Sequence, residues 1–144
     1  MESKFCIVPP DEGEVQRLNV IQCSGSVQGW IENVMAPLYD NPKALFPVIS
    51  SFASVLFKPH DLTPILVDIS GVSSSGKTSV QKACASVWGK PSEYISSMLT
   101  TKIAIERMAA FLNAFPLILM TRIQRTIQKR YSRCSICLAR VQAR

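Results

Sequence analysis

The apolar positions of this chain change period several times, and the changes mark the elements. Phe5-Cys6-Ile7-Val8 is a short apolar run closed by Pro9-Pro10. Val15, Leu18, Val20 and Ile21 alternate loosely after the acidic turn Asp11-Glu12-Gly13-Glu14. Together they read as a peripheral strand or two. Ser24-Gly25-Ser26 breaks the pattern and supplies a helix cap. Trp30, Val34, Met35 and Leu38 then form one helical stripe, ended by Pro37 and Asp40-Asn41-Pro42. Asn41 before Pro42 has the form of an N-cap followed by the first helical residue. The helix opened there, about 42–57, is apolar on most sides and is expected to be mostly buried. Pro47 falls near its first turn, where a missing N–H matters less.

Lys58-Pro59-His60-Asp61 reads as a loop, and Leu62 to Ser70 as a strand. Its run Ile65-Leu66-Val67 suits a central parallel strand covered on both faces, although Asp68 sits oddly inside it. Val80, Ala83, Cys84, Val87 and Trp88 repeat at helical spacing, which predicts a helix over about 77–88 stopped by Gly89 and Pro91. Glu93 to Leu99 suits a short second strand. Thr100 or Thr101 caps a helix of about 102–114, and Pro116-Leu117-Ile118-Leu119 reads as a third strand. The element order predicts an α/β fold with an N-terminal helical region before the strand at 62–70.

At 144 residues and 47% apolar composition, the chain suits one domain with a real core. Its net charge of +6 belongs to one end. Residues 1–119 hold nine Lys/Arg and ten Asp/Glu, whereas 120–144 hold seven Lys/Arg and no acid. Five scattered cysteines, Cys6, Cys23, Cys84, Cys134 and Cys137, lack the spacing of a disulfide framework. No signal-peptide pattern opens the chain. Its longest apolar stretch, Ala44 to Phe57, is shorter than the ~20 residues of a membrane span. A cytoplasmic protein without a membrane partner is expected. His60, the only histidine, has no ligand-spaced partners and reads as an ordinary loop residue, and Cys84 as a small core residue.

The chemistry is concentrated in Gly71-Val72-Ser73-Ser74-Ser75-Gly76-Lys77-Thr78, which fits the phosphate-loop pattern G-x-x-x-x-G-K-[ST] without mismatch. A strand precedes it and a helix follows, as the chemistry requires. Such a loop turns backbone N–H groups and a helix N-terminus toward phosphate. Gly71 and Gly76 permit the necessary backbone angles. Lys77 would set an ammonium between the outer phosphates, and Thr78 would offer a hydroxyl to Mg²⁺. ATP with Mg²⁺ is the expected ligand pair, held by Gly71 to Thr78. Hydrolysis asks further for an acid at the end of a neighbouring strand. After Leu117-Ile118-Leu119 come Met120 and Thr121, and no Asp or Glu follows Glu106. No catalytic residue is therefore assigned.

The match extends beyond the loop. Ser26-Val27-Gln28-Gly29-Trp30, Asn41-Pro42, Phe52-Ala53, Gly71 to Thr78, Ala85-Ser86-Val87-Trp88-Gly89, Thr100-Thr101 and Glu106 resemble the helicase-like P-loop family called domain of unknown function 927, found in phage and mobile-element proteins. The resemblance covers about 24–119. It implies an ATPase motor core of RecA/AAA-like fold, nucleotide contacts at Gly71, Gly76, Lys77 and Thr78, and homo-oligomers in the full-length family. The family continues past the third strand with an acidic pair and a longer domain, and this chain departs from it at Met120. The expected architecture is therefore an incomplete P-loop NTPase domain with a short parallel sheet. It has a peripheral segment at 1–23, the partial domain at 24–119 and a basic tail at 120–144 outside it.

The genetic code offers a reason for the departure. Shifted by one nucleotide, the G of the Met120 codon and the AC of the Thr121 codon spell Asp, and a preceding G makes the pair Asp-Asp. We read residues from about 120 as an out-of-frame continuation. A DNA sequence whose other frame gives no acidic pair and no long continuation would sink that idea. Two alternatives for the tail are a basic helix for nucleic acid or an anionic membrane, and half a zinc site at Cys134-x-x-Cys137. Two functions follow: a non-hydrolysing remnant of a helicase-like ATP-binding protein, or a non-catalytic nucleic-acid-binding or interaction protein that uses the tail. Nucleotide binding should need Lys77 and survive removal of 120–144. Nucleic-acid binding should vanish with the tail and ignore Lys77→Ala.

Overall fold

The computed structural model describes residues 18–72, 75–121 and the backbone of 133–137. The strand expected at Phe5-Cys6-Ile7-Val8 lies outside them. Of the second N-terminal strand, the described part is a turn, with the Ile21 N–H donating to the Leu18 carbonyl at 3.1 Å. The helical region begins at Ser26, whose hydroxyl accepts from the Gly29 N–H at 3.1 Å. It runs as an α-helical turn, α1 (Val27–Trp30), then a wide π turn at Ile31–Met35 and a tight 3₁₀ turn at Ala36–Leu38 that holds Pro37. Asn41 then caps α2 (Pro42–Phe57), accepting from the Ala44 N–H, as the Asn-Pro pair predicts.

The remaining elements are β1 (Leu66–Ser70), α3 (Lys77–Ser86), the single turn α4 (Pro91–Tyr94), β2 (Ser96–Ser97), α5 (Lys102–Leu112), β3 (Leu117–Met120) and β4 (Arg133–Cys137). Thr101 caps α5 through the Ala104 N–H at 3.3 Å. Of the stretch 93–99, only two residues are strand; Pro91 starts a helical turn that takes up Glu93 and Tyr94 instead.

The four strands form one mixed sheet in the order β1-β4-β3-β2. Only β2 and β3 are parallel, with Ser96 opposite Leu119. Strand β4 lies antiparallel to both β1 and β3, so the expected short parallel sheet is present as the β2–β3 pair within a mixed sheet. Arg133–Cys137, within the stretch 120–144, lies between β1 and β3 in the sheet.

The core has two layers, one on each face of β3. Ile118 joins Val48, Val67, Cys84, Ala85 and Tyr94 on the face covered by α2 and α3. Leu117 and Leu119 join Ala109 on the face covered by α5. Strand β3 is thus buried on both sides. Strand β1 alternates, with Val67 inward and Leu66, Asp68 and Ser70 outward, and Leu66 is 65% exposed. The expectation of double coverage therefore fails for β1, because no helix lies over its outer face among the described residues. The same fact accounts for Asp68: it occupies a solvent position.

Helix α2 departs from expectation more sharply. Its buried side is made of small residues, Ala44, Pro47, Val48, Ser50, Ser51 and Ser54. Phe46, Ile49 and Leu56 are each more than half exposed. Small side chains let α2 approach α3 closely, and their hydroxyls satisfy buried donors and acceptors there. Ser51 Oγ donates to the Cys84 carbonyl at 3.3 Å and accepts from Trp88 Nε1 at 2.7 Å. Trp30 Nε1 donates to Ser86 Oγ at 2.9 Å. The Trp30, Phe52, Trp88 and Phe115 rings continue this seam in successive edge and tilted contacts. Beyond α3, Gly89 meets the N-terminal segment so closely that an added Cβ would fall 2.0 Å from the Val20 carbonyl oxygen. Among the described residues no helix is long and apolar enough to cross a membrane.

Candidate phosphate-loop site

The site candidate is built by β1, the loop after it and α3. Strand β1 ends at Ser70, so the chain leaves the sheet directly into Gly71. It turns into α3 through Gly76, whose φ of 81° lies in the left-handed region and serves as the N-cap. A side-chain-bearing residue there would be strained by ~1–2 kcal/mol. No side chain caps α3, and its first turn carries no acid. Its leading N–H groups and the positive end of its dipole therefore face the loop.

Lys77 is the first residue of α3, and its ammonium folds back over the loop. Nζ donates to the Gly71 carbonyl at 2.9 Å, to the Val72 carbonyl, and to Ser75 Oγ at 3.2 Å. A cation is thus tethered to oxygen atoms at the loop's mouth, bonds it could exchange for those of an anion. Thr78 and Val72 are exposed beside it, as are Gly71, Ser75 and Gly76. Ser73 and Ser74, the remaining members of the predicted set, lie outside the described residues.

The end of β3, separated from β1 by β4, carries no charged residue among the described ones. Strand β3 finishes at Met120, whose carbonyl accepts from the Met98 N–H at 3.0 Å. Thr121 Oγ1 lies 3.0 Å from Met98 Sδ. Among the described residues no three of His, Cys, Asp or Glu cluster as metal ligands. The side chains of Cys134 and Cys137, the half zinc site of the sequence, are outside the described set.

One site residue escapes sequence reasoning. Gln81 is fully buried on α3, and its Nε2 donates to the Leu119 carbonyl at 2.7 Å. It ties the loop's helix to the end of β3. Its Oε1 is buried and has no hydrogen-bond partner among the described residues. The available signal was spacing: Gln81 stands four residues after Lys77 and three after Thr78, on one side of the helix. Away from the loop, Val20, Ile21, Tyr94, Ser96, Met108 and Leu112 help line a cavity of about 150 Å³.

A profile of the family described as "Domain of unknown function (DUF927)" matches residues 1–128. The chain belongs to this family. No curated protein matches it. The DUF927 match encloses the stretch 24–119 on which the resemblance was read, and adds both the N-terminal residues and the start of the tail. It stops before β4. Gly71 to Thr78, Gln81 and β3 therefore all lie within the DUF927 region, whereas the strand between β1 and β3 does not.

Proposed function

We propose that this DUF927 chain binds the polyphosphate of a nucleotide, ATP in the simplest case, at Gly71 to Thr78, and does not hydrolyse it. The single observation that carries the reading is the Lys77 ammonium tethered over a loop that enters α3 through left-handed Gly76. The donor set suits phosphate: backbone N–H groups, one ammonium and small hydroxyls. Mg²⁺ would be held by Thr78 together with the phosphates, and the metal would offset phosphate charge. The neutral end of β3 argues against turnover, because among the described residues there none would orient or deprotonate an attacking water. A helicase-like ancestry of the P-loop NTPase kind, in a cytoplasmic protein of phage or mobile-element origin, is part of this reading.

Titration of the full chain with ATP and Mg²⁺ tests it. Lys77→Ala should weaken binding at least about tenfold, since bonds to charged groups contribute ~1.5–3 kcal/mol, with no phosphate released by either protein. Robust Mg²⁺-dependent hydrolysis by the wild type would overturn the second half of the proposal. A second reading, non-catalytic nucleic-acid binding through 120–144, is favoured by seven Lys/Arg without an acid in that stretch. It calls for binding that weakens steeply with salt and is indifferent to Lys77→Ala.

A further inference from the structure

One side of helix α3 changes character along its length. Lys77 opens it at the loop, Gln81 follows one turn later, and Cys84 and Ala85 end it in the apolar core. Gln81, Cys84 and Ala85 are all fully buried. An apolar side chain at 81 would simply extend that core. A carboxamide stands there instead, and it is only half satisfied. Its Nε2 donates to the Leu119 carbonyl at 2.7 Å, while its Oε1 is buried and accepts from no described residue. A buried acceptor without a donor lowers stability, so a methionine of nearly the same shape would cost the fold less. An amide that the packing alone does not call for needs another reason, and such conflicts concentrate where function constrains the residue.

We propose that Gln81 is a positioning residue for the polyphosphate of a nucleotide. Its bond to Leu119 fixes the first turn of α3, and with it Lys77 and Thr78, in the place from which they meet phosphate. The inference rests on the reading of Gly71 to Thr78 as a phosphate-binding loop. Its own basis is the placing of Gln81. It stands four residues after Lys77 and three after Thr78, on the same side of the helix, and it is bonded to a strand 38 residues on. No side chain caps α3. Gln81 supplies, one turn further in, a tie of the kind that a cap would give. Position matters here because donors aimed at an anion lose much of their effect when displaced by about 1 Å.

The test is calorimetric titration of the full chain with ATP and Mg²⁺, and with inorganic pyrophosphate, beside thermal unfolding. Gln81→Met keeps the shape and removes both polar atoms. It should melt within about two degrees of wild type. It should nevertheless bind both ligands about threefold to tenfold more weakly, the effect of one lost anchoring bond. Ser51→Ala loosens the contact of α2 with α3 away from the loop and should do the reverse. It should melt several degrees lower and bind within about twofold of wild type. Affinity that simply follows melting temperature across the two variants would mean that Gln81 only packs, and would overturn the inference. Wild-type affinity in Gln81→Met would do the same. Should Gln81→Met fail to fold, the wild type decides. The side-chain amide protons of Gln81 should shift in the NMR spectrum as pyrophosphate saturates the protein, and should stay still in Lys77→Ala. No shift in the wild type sinks the proposal. Should the wild type bind neither ligand, or Lys77→Ala leave affinity unchanged, the phosphate-binding reading fails and this one with it. Should Lys77→Ala weaken binding while Gln81→Met does not, only the role of Gln81 fails.

Discussion

Cys84 shows what a single residue's setting does to its chemistry. It is fully buried under α2, and burial pushes its thiol from 9.0 up to about 12, partly offset by a backbone hydrogen bond. Burial also raises the Tyr94 hydroxyl, which donates to the Pro116 carbonyl at 2.9 Å. Both groups keep protons that the unfolded chain releases. Stability from them is therefore complete below about pH 9 and is lost as pH rises toward 12, at up to ~1.4 kcal/mol per pH unit for each group. Urea unfolding at about pH 8 and about pH 10.5 should show the midpoint falling at the higher pH, and Cys84→Ala should flatten that fall. An unchanged pH slope in Cys84→Ala would contradict the assignment. With a thiol reagent, exposed Cys23 should react in the folded protein and Cys84 only after unfolding. The core role of Cys84 was legible from its helical spacing. That of Gln81 was not: a polar residue between Val80 and Cys84 reads as solvated, and only the position of Leu119 turns it inward.

At the scale of elements, boundaries were read better than faces. Asn41-Pro42 and Thr101 cap their helices as their residue types predict, because a cap is a local hydrogen bond. Burial is not local. Helix α2 looks apolar all round in sequence, yet the structure turns its small residues to α3, since only these permit the approach and supply Oγ atoms to Trp88 and Cys84. Likewise Ile65-Leu66-Val67 has the composition of a doubly covered strand, but α5 covers β3 instead. The seam gives a sharp comparison. Ser51→Ala leaves Trp88 Nε1 without its acceptor and should cost ~1–3 kcal/mol. Ser50→Ala removes only a bond to the Phe46 carbonyl of its own helix and should cost less than half as much. Thermal unfolding of the two variants measures the difference. Equal shifts would mean that the serine seam between α2 and α3 does not hold Trp88.

For the whole molecule, the deciding feature is β4. Its composition, basic and free of acids in its surroundings, set the tail apart from the domain, and no local signal in Arg133–Cys137 announces a partner 60-odd residues earlier in the chain. Yet β1 and β3 make no direct pairing with each other in the sheet; β4 joins them. Cutting the chain before residue 120 would therefore remove the strand that holds β1 to the double-sided core of β3, so truncation is a poor test of the proposal that Gly71 to Thr78 binds nucleotide. A proline in β4 asks the question more cleanly. Ile136 pairs with Val67 on one side and Ile118 on the other. Whichever neighbour its N–H faces, a ladder bond is lost, and proline is confined to edges and bulges for that reason. Ile136→Pro should lower the melting temperature by several degrees, the shift that a loss of ~1–3 kcal/mol gives in a domain of this size. Ala143→Pro, beyond the strand, should melt within about a degree of wild type. If Ile136→Pro unfolds like the wild type, β4 does not bridge the sheet, and the tail reverts to a segment outside the domain.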